Sequence, residues 1–158
     1  MAIITSISGA ALALLLQAQA PQVEFKTNSD AATGPCIEQY GESVAAGSIS
    51  EAEWKDIISC VFANTAAQMD AELPKRIDDI TALVAVSSNG STFRYIYVLD
   101  VAVADVGQAN IDSLKAVTRR NACSTANMVQ TMGMGGSYFY RWVDRQGSLI
   151  TTMLLESC

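Results

Sequence analysis

The chain has 158 residues, half of them apolar and 16% charged, with a net charge of −6, which suits one globular domain and excludes a disordered chain. Its ten Lys and Arg residues are scattered, so the clustered cationic surface that nucleic acid requires is missing and adsorption to anionic lipid is disfavoured. Histidine is absent, which excludes Ser-His-Asp and Cys-His catalysis, imidazole bases and His-ligated metals.

Residues 1–20, "MAIITSISGAALALLLQAQA", carry no charged side chain and hold an apolar run over about 7–16. That run matches a signal-peptide core and falls short of the roughly 20 residues needed to span a bilayer. Ala18-Gln19-Ala20 has the small-x-small form of a cleavage site, although no Lys or Arg precedes the run and Pro21 follows it. A buried or anchoring N-terminal helix is the competing reading. No cysteine directly follows the apolar core, so lipid attachment is not expected, nor is stable membrane insertion after cleavage. Export implies a periplasmic or secreted location. Residues 21–33 are polar and read as a flexible linker, leaving 34–158 as a single disulfide-stabilised domain.

A short helix is expected over 36–46, closed by Gly47, and a long one over 51–72. Ser50 and Glu53 have the spacing of a capping box, and Trp54, Ile57, Ile58, Val61, Phe62 and Met69 form one apolar stripe. Cys60 lies off that stripe beside Ala63 and Ala67, where small residues let the preceding segment approach. The four cysteines allow three pairings. This facet favours the sequential one, Cys36 with Cys60 and Cys123 with Cys158.

Pro74 ends the long helix. Two β-rich runs then flank Asn89-Gly90, the strongest short signal for a type I′ hairpin. A two-residue loop there opposes Val86 to Phe93, Val84 to Tyr95, Ala82 to Tyr97 and Ile80 to Leu99. Helices over 111–120, capped by Asn110, and over 124–132, capped by Ser124, come next, with Gly133 as the left-handed stop. The stretch "NACSTANMVQTMGMGG", 121–136, therefore reads as scaffold. Its methionines lack other free soft ligands for copper, and Cys123 lacks a base to act as nucleophile. A second hairpin turns at Asp144-Arg145-Gln146-Gly147. The expected fold is α+β: a four-stranded antiparallel sheet of two hairpins, about 80–103 and 137–156, with the helices mainly on one face.

The segments "LPKRIDDITALVAVSSNGSTFRYIYVLD" and "NACSTANMVQTMGMGGSYFYRWVDRQGSLI", with the final cysteine, resemble small exported bacterial proteins over about 73–158. The resemblance rests on two Tyr-x-Tyr strands and the paired cysteines. It implies export and this fold, and it implies no activity. Pilotin-type secretion chaperones have comparable size and location; many are lipoproteins, and this chain lacks the lipid-attachment cysteine.

The remaining functional signal is aromatic. Tyr95 and Tyr97 can share a face with Tyr138, Tyr140 and Trp142, with Arg94 and Arg141 close along the chain. Tyr and Trp are enriched at recognition surfaces, but aromatics also favour strands, so this face is either a binding surface or the core beneath the helices. The favoured reading is a non-enzymatic binding or assembly protein of the cell envelope, needing no metal or cofactor, whose partner is an envelope protein or glycan. The alternatives are a carboxylate-dependent hydrolase of envelope glycans, using residues such as Asp100 and Asp144, and a pilotin-like chaperone without a lipid anchor. Asp78 and Asp79 are adjacent and point apart, and Glu51 and Glu53 belong to a helix cap.

Overall fold

The computed structural model describes residues 28–158; the expected signal peptide, and 21–27 of the expected linker, lie outside the described residues. Helix α1, Ser29–Glu38, begins within that linker. Gly34 and Pro35 argue against helix there, since in a helix interior they cost about 1 and 3 kcal/mol relative to Ala. Tertiary contacts override them. Asn28 accepts from the Ala31 N–H at 3.1 Å to cap the helix, and the Asn28 N–H donates to Gln68 at 2.7 Å. The Asn64 amide donates to the Ala32 carbonyl at 3.1 Å, and buried Cys36 is bonded to Cys60. Helix α2, Gly41–Ala46, then stops at Gly47, which has a φ of +64°.

Helix α3, Glu51–Asp70, starts on the capping box. Ser50 Oγ accepts from the Glu53 N–H at 3.2 Å, and a Glu53 carboxylate oxygen accepts from the Ser50 N–H at 2.7 Å. Ser50→Ala is therefore expected to lower stability by about 1 kcal/mol. Urea unfolding checks it: the midpoint should fall at constant slope, and an unchanged midpoint would show that the helix start is held by other contacts. Ile57, Ile58, Phe62, Ala66 and Met69 are buried, the last four of them in the core shared with the sheet.

The sheet has five strands in the order β1 to β5: Lys75–Arg76, Thr81–Asn89, Thr92–Leu99, Ser137–Asp144 and Leu149–Leu155. This corrects the expected four-stranded antiparallel arrangement in two ways. The short strand β1 adds an edge beside β2, and β3 pairs with β4 in parallel. The reason for the parallel pairing lies between them. Helices α4, Gln108–Ser124, and α5, Ala126–Gly133, carry the chain back to the end where β3 began, and parallel neighbours need a crossover of that length.

The first hairpin forms, with a loop one residue further on than expected. Gly90, at φ +56°, and Ser91 make the connection, and no non-glycine residue among those described has a positive φ. That excludes type I′, which needs two positive angles, and fits a glycine-first II′ turn. Near the turn Ser88 opposes Phe93 and Val86 opposes Tyr95, a shift of two that leaves every side chain on its expected face. An irregularity at Val84 then moves Leu83 opposite Tyr97 and Thr81 opposite Leu99, so Leu83 enters the core where Val84 was expected.

The crossover helices also start differently from expectation. Gly107 holds the N-cap position of α4, and Asn110 lies in its first turn. Ser124 donates back to the Asn121 carbonyl at 2.9 Å, and Thr125 stands at the N-cap of α5. The left-handed stop after α5 is Gly135, at φ +92°, with Gly133 still helical. The Gly136 N–H returns to the Thr131 carbonyl at 2.9 Å and the Gly135 N–H to that of Met132 at 3.1 Å, the pair of bonds of a Schellman stop. A Cβ on Gly136 would lie 2.6 Å from Thr131 Cγ2, so the second glycine is needed for close approach. The second disulfide, Cys123–Cys158, ties the end of α4 to the chain just past β5.

Candidate binding surface

The parallel register sets Phe93 beside Tyr138, Tyr95 beside Tyr140 and Tyr97 beside Trp142. All six side chains occupy one face, because a strand alternates its side chains and the register is regular. Phe62 of α3 lies on this face, 5.3 Å from Phe93 and 5.5 Å from Tyr138 between ring centroids. Tyr95, Tyr97, Tyr140 and Trp142 form a tile of four nearly parallel rings, with neighbouring centroids 5.2–6.2 Å apart. Tyr138, Tyr140 and Trp142 are buried, and Tyr95 and Tyr97 are half-buried. The aromatic rows are thus part of the core beneath the helices.

Arg94 and Arg141 belong to the opposite face of the sheet, where both are exposed and Arg94 lies 5.1 Å over the Phe139 ring. The seven residues singled out from the sequence therefore divide between two sides of the sheet. Strand alternation explains the division: each arginine is next in sequence to a core tyrosine and so points away from it.

Burial pushes the Tyr95 hydroxyl well above its ordinary range, with Tyr140, Tyr97 and Tyr138 adding to the effect. Burial likewise raises Tyr97, and it raises Tyr140 with help from Tyr97 and Tyr138. Tyr138 also rises by burial, against a hydrogen bond to Thr131 that acts downward. A raised tyrosine favours the neutral ring in the folded state. Its contribution to stability is complete below the unfolded value near ~10 and is lost as pH climbs from there through the folded value. Four of the five tyrosines are in this set. Their tyrosinate absorbance is expected to appear in one cooperative step that coincides with unfolding above pH ~10. Titration of all four with circular dichroism unchanged would mean that the rows are open to solvent.

The carboxylates are committed to turns. Asp144 is 2% exposed. It accepts from the N–H groups of Gln146 at 2.9 Å and Ser148 at 2.8 Å, which shape the hairpin turn, and from Val103 at 3.3 Å. Burial acts to raise its carboxyl, but these donors, led by Ser148, and nearby Arg145 outweigh it and hold it below the usual range. Asp100 is exposed and ion-paired to Arg145 at 3.5 Å. An acid/base pair needs one carboxyl held proton-bearing, and Asp144 is held in the opposite state. Asp78 accepts from the Ile80 and Thr81 N–H groups at 2.9 and 2.7 Å, a turn role.

What the sequence did not reveal is an apolar cleft of about 420 Å³ between α1, α3 and α5. Ile37, Trp54, Val61 and Met134 line it, with Thr33, Asn127 and Gln130 supplying polar edges. These four apolar residues are half-buried, and the buried Ile57, Ile58 and Phe62 line the cleft as well. Trp54 and Val61 belong to the helical stripe expected to be core. They are left over because α3 commits Ile58, Phe62, Ala66 and Met69 to the main core, while Ile57, outside that core, also lines the cleft. The extra width of the stripe was the available signal. A concave apolar site with a few polar groups is the usual form of a ligand or partner site.

All four cysteines are in disulfides, bonds that persist in oxidising compartments, and the protein is periplasmic or secreted. Among the described residues no helix is long and apolar enough to cross a membrane. No family model matches the sequence, and no curated protein matches it. Three solved structures share the fold. The pilotin EpsS of the Vibrio vulnificus type 2 secretion system is 16% identical, with a TM-score of 0.57 over 66% of this chain and 92% of its own. The type II secretion system pilotin AspS of Vibrio cholerae is 20% identical, with a TM-score of 0.55 over 68% and 97%. A Pseudomonas aeruginosa protein provisionally described as secreted is 14% identical, with a TM-score of 0.57 over 65% and 91%. Over about two thirds of its length this chain thus has a fold in common with two pilotins.

Proposed function

We propose that this chain is a non-catalytic, pilotin-like factor of the bacterial envelope that binds a protein component of a type II secretion system. The observation that carries this reading is the fold held in common with two pilotins over nearly their whole length. The cleft between α1, α3 and α5 is the site assigned to the partner. Its apolar lining suits side chains of a partner segment, and the amides of Asn127 and Gln130 at its margin suit the partner's backbone or polar groups. Using the cleft in place of the aromatic face keeps the binding function expected from the sequence and moves its location. The half-buried aromatic and apolar residues there, Trp54 foremost, are of the kind that concentrates binding energy at interfaces.

Crosslinked pull-down from the native envelope tests the proposal, using wild type and Met134→Glu. Met134 is half-buried at the cleft margin and also packs against the core, so a charge there should oppose an apolar partner, and an unchanged circular dichroism spectrum is required of the variant before its binding is read. Wild type is expected to recover a secretion component that the variant loses. Equal recovery by both would move the site away from the cleft. Recovery of no secretion component by wild type would contradict the function.

A further inference from the structure

We infer that the outer edge of β5 pairs with β5 of a second copy of this chain, joining two sheets about a two-fold axis. The two edges of the sheet are unlike. Strand β1 is two residues long, both cationic, and covers only Ala82 and Leu83 of β2; the rest of that edge is bent by the irregularity at Val84 and ends in the polar Ser87, Ser88 and Asn89, devices that blunt an edge against pairing. Strand β5 has seven residues, "LITTMLL", with no charge and no proline. Its β-branched Ile150, Thr151 and Thr152 favour strand, and Leu149 and Leu154 are each 52% exposed. Among the described residues its backbone pairs with β4 alone. An uncharged edge of this length, left open, is an aggregation site, so its composition points to an occupant.

The sequence of the strand suits a second copy. The ladder between β4 and β5 has an irregularity between Trp142 and Val143, where Ile150 is extra, so the regular part of β5 runs from Thr151 to Leu155. Antiparallel pairing of that part with itself centres on Met153. It sets Thr151 opposite Leu155 and Thr152 opposite Leu154, and every residue keeps its own face because opposed positions have the same parity. The exposed Leu154 gains a neighbour from the second copy. No like charges meet: the two Glu156 residues fall at opposite ends, about 20 Å apart at the rise of a strand. In a chain of net charge −6, such a neutral stretch lets two copies approach with little repulsion. The resulting interface is self-complementary, as a closed two-fold dimer requires.

Sedimentation equilibrium of the chain and of a Thr152→Lys, Leu154→Lys double variant tests the pairing. Wild type is expected to reach twice the chain mass at micromolar concentrations. The variant, which sets like charges opposite one another, should dimerise roughly tenfold or more weakly, while Ser87→Lys, on an exposed strand position away from this edge, should dimerise as wild type does. Amide exchange of wild-type β5 provides the second measurement and needs no variant: protection should rise with protein concentration. A wild type that stays monomeric, exchange that is independent of concentration, or a dimer indifferent to the two lysines in a folded variant would each overturn the inference.

Discussion

Tyr140→Ala is expected to lower stability by about 3–5 kcal/mol, the range for emptying a large buried aromatic site. Tyr140 is 5% exposed and stacks on both Tyr95, at 5.2 Å, and Trp142, at 5.8 Å. Truncation therefore removes its own burial and two ring contacts, and the sheet beneath cannot close over the gap. Tyr97→Ala should cost less, because Tyr97 is only half-buried. The order of the two losses in chemical denaturation is the check. A Tyr140→Ala loss within about 1 kcal/mol, typical of a surface change, would contradict the placement of the aromatic rows in the core.

Replacing Cys36 and Cys60 together by Ser should cost roughly 3.5 kcal/mol on the chain-entropy account of a loop of this size. The two residues are 24 apart in sequence, and Cys36 is 0% exposed. This bridge also holds the least regular helix. With Gly34 and Pro35 inside it, α1 has poor propensity of its own and depends on α3 for support. Loss of the bridge should therefore fray α1 first, opening one wall of the cleft. Amide exchange on the double variant checks this: residues 29–38 should lose protection while β3 and β4 keep theirs. Uniform loss over the whole chain would mean that α1 and the sheet unfold as one unit.

Much of this fold is local in origin and could be read from local signals. The start of α3 needs only Ser50 and Glu53, three residues apart, and the first hairpin needs only a glycine between two β-rich runs. Side-chain alternation then places Phe93, Tyr95 and Tyr97 on one face whatever the exact register. Non-local features were the ones missed. Parallel pairing of β3 with β4 depends on where α4 and α5 return the chain, which neither strand encodes in its own pattern. Strand β1 is too short to carry a period, and the helix through Gly34 and Pro35 exists because of contacts with α3 distant in sequence. The candidate site follows the same division. The aromatic rows were visible as a row, but whether a helix covers them is a tertiary fact supplied by Phe62. The cleft was hidden because Ile37, Trp54 and Met134 come from three separate elements, each apolar for reasons that also suit a core.

Reception of a secretion-system partner between α1, α3 and α5 is measured by amide chemical-shift mapping. Nitrogen-labelled protein would be titrated with a purified segment of the component recovered by the pull-down. Saturable shifts are expected to concentrate at Ile37, Trp54, Val61, Asn127, Gln130 and Met134, with the Trp54 indole N–H among the largest. Shifts confined to the exposed sheet face around Arg94 and Arg141, with the cleft unmoved at saturation, would contradict it.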